Sequence, residues 1–222
     1  MRFRPSIIFN GHNSADDFDL IITDIKHYPP EKQLVRASIP FSNHPPDFSR
    51  ITGKYTYNRR KIEYTFLVSA ATAEELEAKI DEVNNWLYEA PPQALFENTL
   101  PNWYFDEASC DNIEPEYISA LSATLKATFT AYPFKRSVYS RPQSYSATST
   151  LTEQNYLLTL DSCTPVFTTN TACQVLWNNE YYTIPANSVR HRITDICFSR
   201  GSNTFSISGS GQLIIECIKE AI

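Results

Sequence analysis

Glycine is scarce, with 5 in a chain of 222 residues. Phosphate-cradling loops and dinucleotide fingerprints need several glycines ahead of a helix, and neither pattern occurs. Cysteine is also sparse: the 5 residues at 110, 163, 173, 197 and 217 contain no Cys-x-x-Cys, which excludes a zinc knuckle and a dithiol redox motif. Their odd number and wide spacing point to reduced thiols, four of them in core strands, in a protein made in a cytoplasm. His12, His27, His44 and His191 stand far apart without metal-ligand spacing, and no Gly-x-Ser-x-Gly accompanies them. Excess positive charge is missing as well: the net charge of −6 argues against a nucleic-acid binder, which needs a clustered basic surface. No run is long enough to span a bilayer. The apolar start Ile7-Ile8-Phe9 is broken by Asn10-Gly11, so no secretory signal is read there. The expectation is a non-enzymatic protein without cofactor, metal, nucleic-acid specificity or membrane segment.

What the chain has instead is aromatic residues, 13% of the total, with 13 Tyr and 13 Phe. Aromatic and β-branched residues suit sheets, so the fold class is mainly β. The stretch from Gly53 to Trp86 organises the first half. Ile62, Tyr64, Phe66 and Val68 share one side of an extended chain, because strand side chains change face at every step. Leu76, Ile80, Val83 and Leu87 follow at the period of a helix with one apolar stripe. Thr72 with Glu75 three residues on reads as a capping box, and Pro91-Pro92 forbid continuation. A single amphipathic helix among strands must lie on a sheet.

Taken in order, residues 6–28 read as an Asn10-Gly11 turn and a strand through Phe18, Leu20, Ile22 and Ile25. Asp16, Asp17 and Asp19 are read as solvated turn charges, since a calcium loop needs a longer ladder with a placed glycine. Residues 28–50 are irregular and proline-rich, interrupted by a short strand at 34–39. So long a loop suggests an assembly arm, with Phe41 and Phe48 meeting a partner. Short strands are expected at 94–96 and 103–105. A cleanly alternating strand follows, in which Ala123, Leu125, Ala127, Phe129 and Ala131 face one way. After Pro133 the composition turns to Ser, Thr, Tyr and Pro, which places a domain boundary near 134. The remainder reads as short strands punctuated by turns, a β-sandwich: 156–160, 166–167, 173–177, 181–184, 189–198, 204–208 and 213–218.

Two groups of residues suggest contacts. Arg59-Arg60-Lys61 is the one dense basic run; Arg59 and Arg60 point to opposite faces of a strand, so one is expected to anchor a carboxylate of its own domain and the other to meet a neighbour. Tyr57 belongs to the same surface. Trp177-Asn178-Asn179-Glu180 is similar to the Trp-x-x-Glu piece of the galectin sugar pocket, although the arginine that follows in galectins is replaced by Tyr182. The plainer reading of Trp177 is a core or interface aromatic.

The order and spacing of several short segments resemble the distal tail protein (Dit) family of long-tailed bacteriophages and prophages, over nearly the whole chain. Phe9-Asn10-Gly11-His12-Asn13-Ser14 with Asp17-Phe18-Asp19-Leu20 is similar to the family's opening. Gly53-Lys54-Tyr55-Thr56-Tyr57-Asn58-Arg59-Arg60-Lys61-Ile62 looks like its G-x-Y-x-Y-x-x-R-x-I strand, and Ile80 with Trp86-Leu87 its helix end. Trp103-Tyr104-Phe105, Phe129 to Phe134, and Gly201 to Gly211 take the places of later family segments. Family members often carry a glycine-rich turn where this chain has Pro40-Phe41-Ser42-Asn43-His44-Pro45.

The resemblance implies a ring-forming belt domain over 1–134, β-rich with one α-helix, and a galectin-like β-sandwich over 135–222. It further implies a hexameric ring at the distal end of the tail, in the virion, joining the tail tube protein to the tail-associated hub protein, with tape measure and receptor-binding proteins as further partners. The chain is short for the family, which favours a plain connector. The competing expectation is a lectin-like protein touching host cell-wall polysaccharide through Trp177 and Glu180.

Overall fold

The computed structural model describes residues 3–35, 49, 55–140 and 142–222, with the backbone alone for 160–162. Phe41, Phe48 and the rest of 36–48 and 50 in the proline-rich stretch expected as an arm, with most of its expected strand at 34–39, lie outside the described residues. The chain divides into two compact units: residues 1–136 with 220–222, and residues 137–219. Sequence reading placed a boundary near 134; the division falls after Arg136 and returns the last three residues to the first unit.

The first unit begins with β1 (Ile7–Phe9) and β2 (His12–Asn13), joined by Asn10 and Gly11 at φ 49° and 76°. Positive φ at both turn positions is what a tight hairpin requires, and Asn-Gly supplies it at least cost. β3 (Ile21–His27) and β4 (Arg60–Ser69) follow, then α1 (Ala73–Tyr88), β5 (Gln93–Glu97), β6 (Trp103–Ser119), β7 (Ser122–Ala131) and β8 (Lys135–Ser137). Strands run in the order β2-β1-β5-β6-β7-β4-β3, with antiparallel neighbours. The expected alternation in β4 and β7 is realised. Ile62, Tyr64, Phe66 and Val68 are buried against the same core as Ala123, Leu125, Ala127, Phe129 and Ala131.

α1 is the one helix among the described residues, and its stripe of Leu76, Ile80, Val83 and Leu87 is buried in that core. Thr72 caps it: its hydroxyl accepts from Glu75 N at 3.2 Å, while Glu75 Oε2 accepts from Ala71 N at 3.1 Å, one residue upstream of a regular capping box. Trp86 fixes the other end. Its indole Nε1 donates to Phe9 O at 2.8 Å, and Phe18 stacks on its ring at 4.4 Å.

The expected short strand at 103–105 is the start of the 17-residue β6. Its first part pairs with β5 and its later part with β7. Glu107 sits at φ 49° within the β5-paired part, where a register shift between the Leu95–Phe105 and Gln93–Ala108 pairs bends the strand ahead of its pairing with β7. The later part escaped sequence reading because Asp111–Ser119 is largely exposed and carries charge and Pro115 in place of alternating apolar residues.

The second unit holds β9 (Gln143–Ala147), β10 (Thr152–Cys163), β11 (Val166–Thr169), β12 (Cys173–Trp177), β13 (Glu180–Ile184), β14 (Ser188–Arg192), β15 (Phe198–Gly209) and β16 (Gly211–Glu216). They form two four-stranded antiparallel sheets, β10-β15-β12-β13 and β14-β11-β16-β9. Residues of both sheets, among them Tyr156, Val175, Phe205, Phe167, Leu213 and Ile215, make one core. The single strand expected over 189–198 is two, broken where Ile196 N turns back to Ile193 O at 3.3 Å. β9, in the Ser-, Thr- and Tyr-rich segment where no strand was expected, pairs with β16 and contributes Tyr145 and Ala147 to the core. Finally β17 (Glu220–Ala221) returns to pair with β8 in the first unit.

Candidate functional site

Core burial on one side of the β6-β7-β4-β3 sheet leaves the opposite side polar. On β4 that side shows Lys61, Glu63 and Thr65; opposite them on β7 lie Thr130, Thr128 and Lys126, and beyond Lys126 and Thr124 on β6 lie Glu114 and Glu116. Glu63 is the hub, only 5% exposed. Its carboxylate meets Lys61 Nζ at 2.7 Å and Lys126 Nζ at 3.5 Å, and accepts from Tyr28 OH at 3.1 Å. The Lys61 hydrogen bond outweighs burial, so the carboxyl titrates below the usual range. At the β6 side Thr130 donates to Asp111. This is a threonine, lysine and carboxylate surface whose charges are largely cross-linked within the face.

The arginines divide as the alternation requires. Arg59 is exposed and reaches Glu107 of its own unit, with Nη1 3.4 Å from Oε2 and Nη2 donating to the backbone carbonyl. Arg60 faces the core, 4% exposed, with its guanidinium 5.3 Å from the Phe105 ring centroid. Among the described residues its Nε and Nη1 have no hydrogen-bond partner, and burial pushes its pKa down. A buried cation without an acceptor is costly. Tyr57 bridges to Lys32 and packs edge-on against Phe134 at 5.2 Å.

Two buried charge centres were not anticipated from sequence. Glu97, 4% exposed, has His27 Nε2 at 2.9 Å and accepts from Tyr64 OH at 3.1 Å and from the Thr99 hydroxyl. Burial raises its pKa, but the bonds from His27, Thr99 and Tyr64 prevail and hold the carboxyl below its usual range. Arg136 is ion-paired with Asp106 and, at 3.2 Å, with Glu220 Oε1, and lies over the Tyr132 ring at 4.2 Å. These partners come from distant parts of the chain, so no local spacing announces them.

Trp177 and Glu180 are cross-strand partners in the β12–β13 hairpin, whose turn residues Asn178 and Asn179 have φ 49° and 66°. Trp177 packs its ring 5.1 Å from Phe198, and the Glu180 carboxylate accepts from Tyr182 OH at 2.7 Å. Cys110, Cys163, Cys173 and Cys217 are buried and Cys197 is half-buried, none of them joined in a disulfide among the described residues. Among the described residues no group of three or more His, Cys, Asp or Glu side chains is placed to hold a metal ion, and no helix is long and apolar enough to cross a membrane.

No protein-family model and no curated protein matches this sequence. Among solved structures, the Dit protein of phage SPP1, described as a paradigm of the hub adsorption apparatus of phages infecting Gram-positive bacteria, superimposes with a TM-score of 0.62 at 10% identity, covering 98% of this chain and 99% of that one. A chain of the phage p2 baseplate in its activated conformation with Sr aligns over 98% of both chains, but its TM-score of 0.43 at 9% identity adds nothing to the argument. The chain has the fold of SPP1 Dit from end to end.

Proposed function

We propose that this chain is a structural, non-enzymatic component of a phage tail: a distal tail protein that forms a hexameric ring between the tail tube and the tail-tip hub. The observation that carries the reading is the correspondence of both units, in order and over nearly the whole length, with SPP1 Dit. In this reading the first unit builds the ring and the second is a galectin-like sandwich. Tail tube and hub proteins are the direct neighbours, with tape measure and receptor-binding proteins beyond them. The chain is made in the host cytoplasm and resides in the virion, and buried cysteines outside disulfides suit synthesis in a reducing compartment.

A ring requires heterologous contacts, one patch of each copy meeting a different patch of the next. The first unit offers separate candidates for the two patches. β3 ends the strand order, and the outer stretch of β6 lies exposed at Glu114–Ser119. The surface of Tyr57 and Arg59 and the Phe41 and Phe48 arm are further candidates. The Thr, Lys and Glu face of the same sheet suits the wall of a water-filled passage. Native mass spectrometry over a concentration series, alone and with purified tail tubes, tests the proposal. A discrete species of six 25.4 kDa chains is the expected result. A monomer under every one of these conditions overturns the ring.

A further inference from the structure

The second unit has a cavity of about 290 Å³ lined by Ser137, Tyr139, Ser140, Gln143, Leu157 and Lys219, with Tyr156 and Cys217 also contributing to its wall. Its apolar and polar parts are distinct. Tyr139 is 72% exposed and Leu157 66%, a large apolar display for side chains that border a concave site. Around them stand hydroxyl, amide and ammonium groups. The Ser137 hydroxyl accepts from Tyr139 N at 3.1 Å, which leaves its own hydrogen to donate. Gln143 commits its amide oxygen to Tyr145 OH at 2.6 Å, which turns its amide N–H groups to the donor role.

We infer that this cavity is a binding site for a single neutral pyranose sugar. A pyranose presents an apolar C–H face and a rim of hydroxyls, and the site supplies the complement of each: an exposed aromatic ring for the face, and Ser, Gln and Lys groups for the rim. The volume decides the size of ligand. It lies at the lower end of the roughly 300–1,000 Å³ of ordinary ligand pockets, room for one ring and not for an enclosed oligosaccharide. Charge decides the class. Among the described residues the lining includes one ammonium, Lys219, and no carboxylate, so a protonated amino sugar is disfavoured against its N-acetyl form. The site is separate from Trp177 and Glu180, and it stands whether or not the ring forms.

Saturation-transfer NMR and calorimetry on the full chain with glucose, galactose, N-acetylglucosamine and glucosamine test the inference. At least one neutral sugar is expected to bind, with glucosamine weaker than N-acetylglucosamine. Tyr139→Ala, at an exposed position, should weaken binding about tenfold, while Trp177→Ala leaves it unchanged. Failure of every sugar to bind overturns the site. So does binding that survives Tyr139→Ala unaltered, and binding lost on Trp177→Ala alone moves the sugar to the hairpin and overturns it too.

Discussion

At the scale of single residues the molecule keeps several charges inside, and they differ in how they are satisfied. Glu97 has three partners, and its lowered pKa makes it a source of pH dependence. A carboxyl whose native pKa is depressed stabilises the fold fully above its unfolded value, near the ordinary 4.5, and that stabilisation is lost as pH falls through the native value. Urea midpoints measured from neutral pH into the acid range should therefore fall for the parent chain. Glu97→Gln should start lower at neutral pH and fall less steeply, the remaining slope belonging to groups such as Glu63. Equal slopes would assign the acid limb elsewhere. None of this was legible in the sequence, because His27 and Tyr64 meet Glu97 only once β3 has paired with β4 and β5 has taken its place between β1 and β6. Arg59 and Arg60 were half legible. Strand alternation required opposite faces, but it did not say which one finds a carboxylate; Glu107 answers that by lying within reach of Arg59 at the bend of β6.

At the scale of elements, legibility follows apolar periodicity. β4, β7 and α1 bury a full face, so their patterns are complete and were read residue by residue. β9 and the outer half of β6 are strands whose neighbours pair with them, and neither carries the run of alternating large apolar residues that marks β4 and β7. The helix makes the energetic point. Leu76 and Leu87 are 1% and 0% exposed, so Leu76→Ala should cost about 2–5 kcal/mol in a denaturant titration, through lost burial and an unfilled cavity. Thr72→Ala removes one capping bond and should cost about 1 kcal/mol. If the two costs came out alike, α1 would owe little to its packing on the sheet.

At the scale of the whole molecule, the mainly β class, the single helix and the positions of many strands were open to sequence reading, and the order of strands in the sheets and the return of residues 220–222 to the first unit were not. Glu220 carries no periodic signal; its place is set by Arg136 and by the β8–β17 pairing. Arg136→Met should therefore loosen this closure locally. Hydrogen exchange is expected to speed up at the amides of Glu220 and Ala221 while the protected core of the second unit is unchanged. Uniform acceleration throughout would instead mean that Arg136 supports global stability.

The same closure has a mechanical meaning. The chain leaves the first unit through β8 and comes back through β17, with Ser137 N bonded to Lys219 O at 2.9 Å where the two strands pass. A pull on the second unit is carried covalently through β8, while β17 is held to the first unit by its pairing with β8 and by the Glu220–Arg136 ion pair, so the same pull loads that short ladder.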